Sequence, residues 1–322
     1  MYQAFLFFLS TLLILACSLS GNDSPIPERE EIPAYRLDRN YRPEVSAYRV
    51  DEPPKIDGHL EEEVWQNAPL VGPLLQYRPK PYTHMDQQTF FRVAYDDDNL
   101  YIAVWCWDNE PEKIAARIMR RDDSLSDDDT FIIALDTFHD KRNGYWFRVN
   151  PNGTRQDAII TNNVNINIQW DGIWDCKTQI TPHGWMAEMA FQLTTFSFDP
   201  ATSDWGMNIT RYIKRLEQRG TWSSPRRSMR SYYVSEAGSI KGLEGLRQGL
   251  GLEFNPYILG KNHEDKNLGT SDFDFEWGGD FRYRITPKIS ATFSYNTDFA
   301  AAETDSRQIN LTRFSQFFPE RR

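Results

Sequence analysis

The sequence predicts a mainly β fold: an antiparallel β-sandwich of jelly-roll type, followed by antiparallel β-hairpins of an incomplete β-barrel. Three observations predict it. Between residues 48 and 230, short alternating segments are separated by turn residues, with little helical period. Aromatic residues make up 14% of the 322 residues, with 10 Trp, 15 Tyr and 20 Phe. Such a load suits pleated, half-buried strands better than helical bundles. Beyond residue 250 the alternation continues over segments of roughly ten residues, the length of a transmembrane β-strand.

The chain opens with an apolar run at residues 4–16 (AFLFFLSTLLILA). It is short for a bilayer-spanning helix, which takes roughly 20 residues, and has the length of a signal-peptide core. The expectation is a signal peptide over residues 1–20 and an exported protein of the bacterial cell envelope. Ile14-Leu15-Ala16-Cys17 has the form of a lipobox, in which Cys17 would be lipidated and would tether the mature chain to a membrane. Cleavage beside Ser18 or Ser20 is the competing reading. Residues 21–47, rich in Pro and charge, read as a linker without hydrophobic period.

The predicted sandwich covers residues 48–230. Residues 90–95 and 100–107 alternate on either side of the turn Asp96-Asp97-Asp98-Asn99, as a β-hairpin does. Further strands are expected at 130–136, 145–150, 173–180 and 184–192. Two brief helices are expected, at 60–67 and 111–120. Residues 231–248 read as a second linker, and residues 249–322 as the N-terminal part of a truncated barrel domain. There Phe273, Phe275, Trp277, Phe281, Tyr283 and Ile285 alternate with Asp274, Glu276, Asp280, Arg282 and Arg284. A transmembrane barrel wall and a half-buried soluble sheet share that period. Two or three strands close no barrel, so the chain is expected to be a fragment.

The formal net charge of -10 argues against a nucleic-acid partner, whose phosphates would be repelled. Sugar recognition needs aromatic faces and planar polar groups, and tryptophans are plentiful, among them Trp170, Trp174 and Trp222. The acidic runs containing Asp96, Asp128 and Asp129 suggest oxygen ligands for calcium, because clustered carboxylates repel one another without a cation. They match no complete EF-hand loop and also read as solvated turns. Cys106 and Cys176 form no metal motif and read as either a disulfide or two buried thiols. The five histidines are scattered without metal spacing. No nucleophile-elbow, zinc-protease or phosphate-loop motif occurs.

The run 55–65 (KIDGHLEEEVW) resembles the opening of family 9 carbohydrate-binding modules. Segments 93–101 (VAYDDDNLY), 128–136 (DDTFIIALD), 147–150 (FRVN) and 184–188 (GWMAE) follow in the family's order. In that family two tryptophans clamp the sugar, and an arginine and an acidic residue hold it. The resemblance puts Arg148 at the arginine and Trp222 near one clamp. Leu125-Ser126 stands where the other clamp should be, and Ile132 stands at the acid. Two of the four groups are therefore replaced, and a rebuilt site would draw on Trp170 or Trp174. Calcium, as modules of this family often bind, is the one cofactor implied. Glu188 matches a family position and reads as structural.

Residues 240–322 resemble the start of an outer-membrane barrel domain that commonly follows such a module, through 243–246 (LEGL), 255–257 (NPY), 278–283 (GGDFRY) and 310–314 (NLTRF). Together these imply glycan binding or uptake in carbohydrate catabolism, at a bacterial outer membrane. One alternative is a glycoside-hydrolase-associated protein acting on O-glycosyl bonds, although hydrolysis needs two carboxylates across a cleft and no pair is singled out. Another is a ligand-free plug or assembly domain of the barrel.

Overall fold

The computed structural model describes residues 31–247, 251–265, 270–286 and 289–296. The expected signal peptide and Cys17 lie outside the described residues. Two compact units are found, with the boundary between Gln248 and Gly249.

In chain order, the strands of the first unit are β1 (Glu44–Ser46), β2 (Tyr48–Arg49), β3 (Leu75–Arg78), β4 (Thr83–His84), β5 (Thr89–Tyr95), β6 (Asn99–Trp107), β7 (Thr130–Asp136), β8 (Gly144–Val149), β9 (Arg155–Thr161), β10 (Asn165–Asn167), β11 (Trp174–Thr181), β12 (Gly184–Gln192), β13 (Trp205–Ile213), β14 (Gln218–Thr221) and β15 (Gly238–Lys241). One short helix, α1 (Glu63–Asn67), lies between β2 and β3. The larger sheet runs β10-β9-β8-β7-β13-β14-β3-β4, with β15 added beside β13 and β1 beside β15. The smaller sheet runs β11-β12-β6-β5-β2. Pairing is antiparallel apart from β1 with β15 and β2 with β5. This is the predicted antiparallel sandwich.

Alternation decides what lies between the sheets. Phe91, Val93 and Tyr95 of β5 and Leu100, Ile102, Val104 and Cys106 of β6 point inward from the smaller sheet. Phe131, Ile133 and Leu135 of β7, with Tyr145, Phe147 and Val149 of β8, meet them from the larger one. Each fully buried side chain of this size contributes about 1.5–3 kcal/mol. The outer face of the smaller sheet is covered in turn, with Trp65, Leu60 and Val50 packed on Ala94, Tyr101 and Ala103.

The structure departs from the sequence reading in two places. Residues 111–120 are not a helix. Only Pro111–Lys113 forms a 3-10 turn, after which the chain runs irregularly beside β7. The backbone groups a helix would pair are bound elsewhere: Asp129 N donates to Ala115 O, and Arg117 N and Ile118 N donate to Asp128. Parts of both expected linkers also join the larger sheet, as β1 and β15. Val45 and Ile240 are buried there, but strands of three or four residues are too short to show a period.

The second unit is an antiparallel three-stranded sheet of β16 (Leu252–Asp265), β17 (Thr270–Thr286) and β18 (Ile289–Tyr295). Register places Phe254, Phe281 and Phe293 in one row and Ile258 opposite Trp277. These side chains are exposed, so one face is continuously apolar. The described residues form no closed barrel.

Candidate functional site

Strand register fixes which residues share the outer face of the larger sheet. Ile132 stands opposite Arg148 on one side and Thr210 on the other, and Arg148 stands opposite Gln156. Two residues along, Ala134 stands between Trp146 and Asn208. Residues opposite one another lie on the same side of a sheet, so these are adjacent rows of one surface.

That surface is roofed at both ends. Val234 and the part-buried Ile166 and Tyr232 pack on Trp146, Ala158 and Ile160, and Trp146 Nε1 donates to Ser231 Oγ at 3.2 Å. At the other end Arg148 Nη2 donates to Leu125 O at 2.5 Å. Leu125, which stands where the resemblance placed a clamp tryptophan, is itself buried. Burial, with the charge of Arg219 adding to it, brings the Arg148 guanidinium down to about 10.

Under these roofs five polar atoms have no protein partner: Arg148 Nε, Gln156 Oε1, Thr130 Oγ1, Thr210 Oγ1 and Asn208 Nδ2. A buried polar group left unpaired costs about 1–3 kcal/mol. Five of them on one face therefore mark a place suited to hydroxyl groups or ordered water. Sequence reasoning found Arg148 and missed the other four. Each is an ordinary strand residue, and only the β13-β7-β8-β9 register brings them together.

The predicted tryptophans do not join Arg148. Trp222 follows the outward-facing Thr221 and so points inward, where it meets Phe91 edge-on at 5.4 Å and is 4% exposed. Trp174 is stacked on Phe191 inside the core, with Arg155 over its ring. Trp170 is part-buried at the core's margin, against Tyr145 and Phe147. Two of the three rings are thus core residues, and none lies on the face that carries Arg148.

Asp96, Asp128 and Asp129 do not converge on a shared point. Asp96 accepts from Asp98 N, Asn99 N and the Tyr101 hydroxyl, closing the hairpin turn. Asp128 accepts from Arg117 N, Ile118 N and Asn150 Nδ2. Asp129 accepts from Lys214 N through one oxygen, while the other is buried without a partner. Their oxygens serve loops, and the three do not fit one calcium ion. Carboxylates do gather elsewhere among the described residues, as Asp57-Glu62-Glu188 and as Asp122-Asp157-Asp171. In the second group Arg121 already supplies the cation, 3.1 Å from Asp157 and 2.8 Å from Asp171.

A feature without any sequence signal lies in the core. Arg211 points inward from β13 and is fully buried, donating to Gln88 O, Trp107 O and Thr89 Oγ1. Its guanidinium lies 4.0 Å from Asp108, which pairs with Arg215 through both carboxylate oxygens.

Comparison with known proteins adds the following. A family model described as carbohydrate family 9 binding domain-like matches residues 56–224. No match is found among curated proteins. Among solved structures, a family 9 carbohydrate-binding module from Caldicellulosiruptor kristjanssonii is similar at 17% identity. Its complexes with glucose and with cellotriose give TM-scores of 0.46 and 0.47, covering 64% of this chain and 96% of the module. A candidate carbohydrate-binding protein from Bacteroides uniformis gives a TM-score of 0.51 at 13% identity, covering 62% of this chain and 99% of its own. At that identity the likeness concerns the fold.

Proposed function

Since the chain belongs to the carbohydrate family 9 binding domain-like family, we propose that its first unit binds a glycan on the outer face of the larger sheet, at Arg148. The observation that carries this reading is the set of unpaired polar atoms around Arg148. A sugar presents hydroxyls that both donate and accept, and so can satisfy amide, hydroxyl and guanidinium groups together. The face differs from a two-tryptophan clamp: Trp146 and Tyr212 are its strand aromatics, 7% and 5% exposed, and binding there requires the roof at Leu125 or at Ser231 to move aside.

The reading extends to the cell envelope. The apolar run at residues 4–16 supports export. The exposed apolar face of β16–β18 supports a membrane-facing wall in an outer-membrane protein that takes part in glycan capture or uptake.

Titration of the full chain with a panel of oligosaccharides, read by tryptophan fluorescence and calorimetry, tests the proposal. Saturable binding that weakens in Arg148→Ala is expected. A flat response across the panel overturns it.

A further inference from the structure

The outer face of the larger sheet carries more positive charge than a neutral sugar needs. Beside the row of Arg148, Arg219 of β14 stands opposite Arg78 of β3 at a bulge, and opposite Tyr212 of β13 on its other side. Its guanidinium lies 4.8 Å over the Tyr212 ring. The Tyr77 hydroxyl feels the charges of Arg219, Arg78 and Arg230, while Arg148 feels that of Arg219.

Like charges set opposite each other across two strands destabilise a sheet unless something offsets them. Among the described residues no ion pair reaches Arg78, Arg148, Arg219 or Arg230, although eight other arginines form them. The two nearby carboxylates are engaged. Glu217 accepts from the Tyr212 hydroxyl at 2.7 Å and pairs with Lys214 at 3.3 Å. Asp128 is held by the N–H groups of Arg117 and Ile118. Register therefore puts Arg148, Arg219 and Arg78 on one side of the sheet, with Arg230 of a following loop near Tyr77, in a chain whose formal net charge is -10.

We infer that this arginine cluster is an anion subsite and that the glycan bound at this face is acidic. Its carboxylate or sulfate group would lie against Arg219 and Arg78, and its neutral hydroxyls against the unpaired groups beside Arg148. A guanidinium offers two parallel N–H groups that match the oxygens of a carboxylate or sulfate, and a half-buried setting strengthens the pair. The inference rests on the glycan-binding reading and narrows it to a class of sugar.

The test is calorimetric titration of the full chain with an oligouronate, a sulfated oligosaccharide and a neutral cello-oligosaccharide of equal length, each at low and high salt. At least one acidic ligand is expected to bind about tenfold or more tighter than the neutral one, the difference corresponding to one charge-assisted contact, and to weaken with salt. The uronate and sulfate arms show which anion is used. Arg219→Gln and Arg78→Gln, checked for folding by thermal melts, are expected to weaken acidic binding more than neutral binding. Neutral binding as tight as acidic overturns the anion subsite and leaves the glycan-binding proposal standing. Acidic binding that both folded variants retain overturns the assignment to these arginines. If the variants do not fold, the salt dependence of the unmodified chain decides, and salt-independent acidic binding overturns the inference. No binding in any arm overturns both proposals.

Discussion

The indole Nε1 of Trp65 lies 2.8 Å from Oε1 of Glu188. The other carboxylate oxygen accepts from Asp57 N at 2.9 Å and Gly58 N at 3.1 Å. Glu188 stands on the outer face of the smaller sheet, opposite Ala103. The run of residues 55–65 is therefore fastened over that face at three points. Gly58 takes φ +86, a left-handed conformation that glycine adopts without penalty. Trp65 itself is buried. The most recognisable motif of the sequence is thus a latch holding a flap on the sandwich, on the sheet opposite the candidate site.

Removing the latch should destabilise the fold without touching the glycan face. Glu188→Ala leaves three N–H groups, two of them buried, without an acceptor, so a loss of about 2–4 kcal/mol is expected. Trp65→Phe removes one of those donors and should cost less. A double-mutant cycle by urea denaturation should give a coupling of about 0.5–3 kcal/mol between the two positions. Additive losses would show that the hydrogen bond does not hold the flap.

The same carboxyl makes stability depend on pH. Burial pushes Glu188 up to about 7, against the opposing pull of its three N–H donors, and burial pushes Asp136 up to about 6. The folded protein then holds protons that the unfolded chain has already released above its ordinary carboxylate range. Stability from these groups is present at low pH and is lost as pH rises through about 6 to 7. His139, lowered by burial, contributes the opposite slope below its ordinary value. The readout is therefore the difference between the parent and Glu188→Gln in urea melts from pH 5 to 8. The parent's advantage should shrink as pH rises through about 7. A difference independent of pH would refute the assignment.

The strand framework is legible in the sequence because alternation is a local property. Phe91, Val93 and Tyr95 reveal β5 without reference to any partner, and Leu100, Ile102 and Val104 reveal β6. What escapes is whatever depends on register or on a distant partner. Residues 111–120 have helical spacing, yet Asp128 and Asp129 bind their backbone first. Trp222 reads as a ring for sugar, yet one position of alternation turns it inward onto Phe91. Thr130, Gln156, Asn208 and Thr210 come from three strands, β7, β9 and β13, and no local pattern links them to Arg148 on β8.

Cys106 and Cys176 are free and buried. Burial pushes the Cys106 thiol up to about 12, and that of Cys176 above the ordinary range as well. A thiol reacts through its thiolate, so neither should react with a thiol reagent such as Ellman's at pH 8 in the folded state. Both should react in denaturant. Rapid labelling of the folded chain at either position would contradict the packing around β6 and β11.

Arg211 offers the sharpest test of the core. It is fully buried, and three acceptors of the β5–β6 margin converge on one of its nitrogens. Gly220 stands opposite it in register. Arg211→Met keeps much of the length but removes every donor, so that Gln88 O keeps only Trp107 N, Trp107 O and Thr89 Oγ1 lose the guanidinium, and Asp108 keeps Arg215 as its cation. Breaking a buried charged network from one side costs about 3–5 kcal/mol, so a comparable drop in unfolding free energy is expected, with the folded spectrum retained. Arg211→Lys should recover only part of the loss, because an ammonium cannot reproduce the planar fork of the guanidinium. A Met variant as stable as the parent would mean that Arg211 does not tie β13 to the β5–β6 margin, and that hydrophobic packing alone joins the two sheets there.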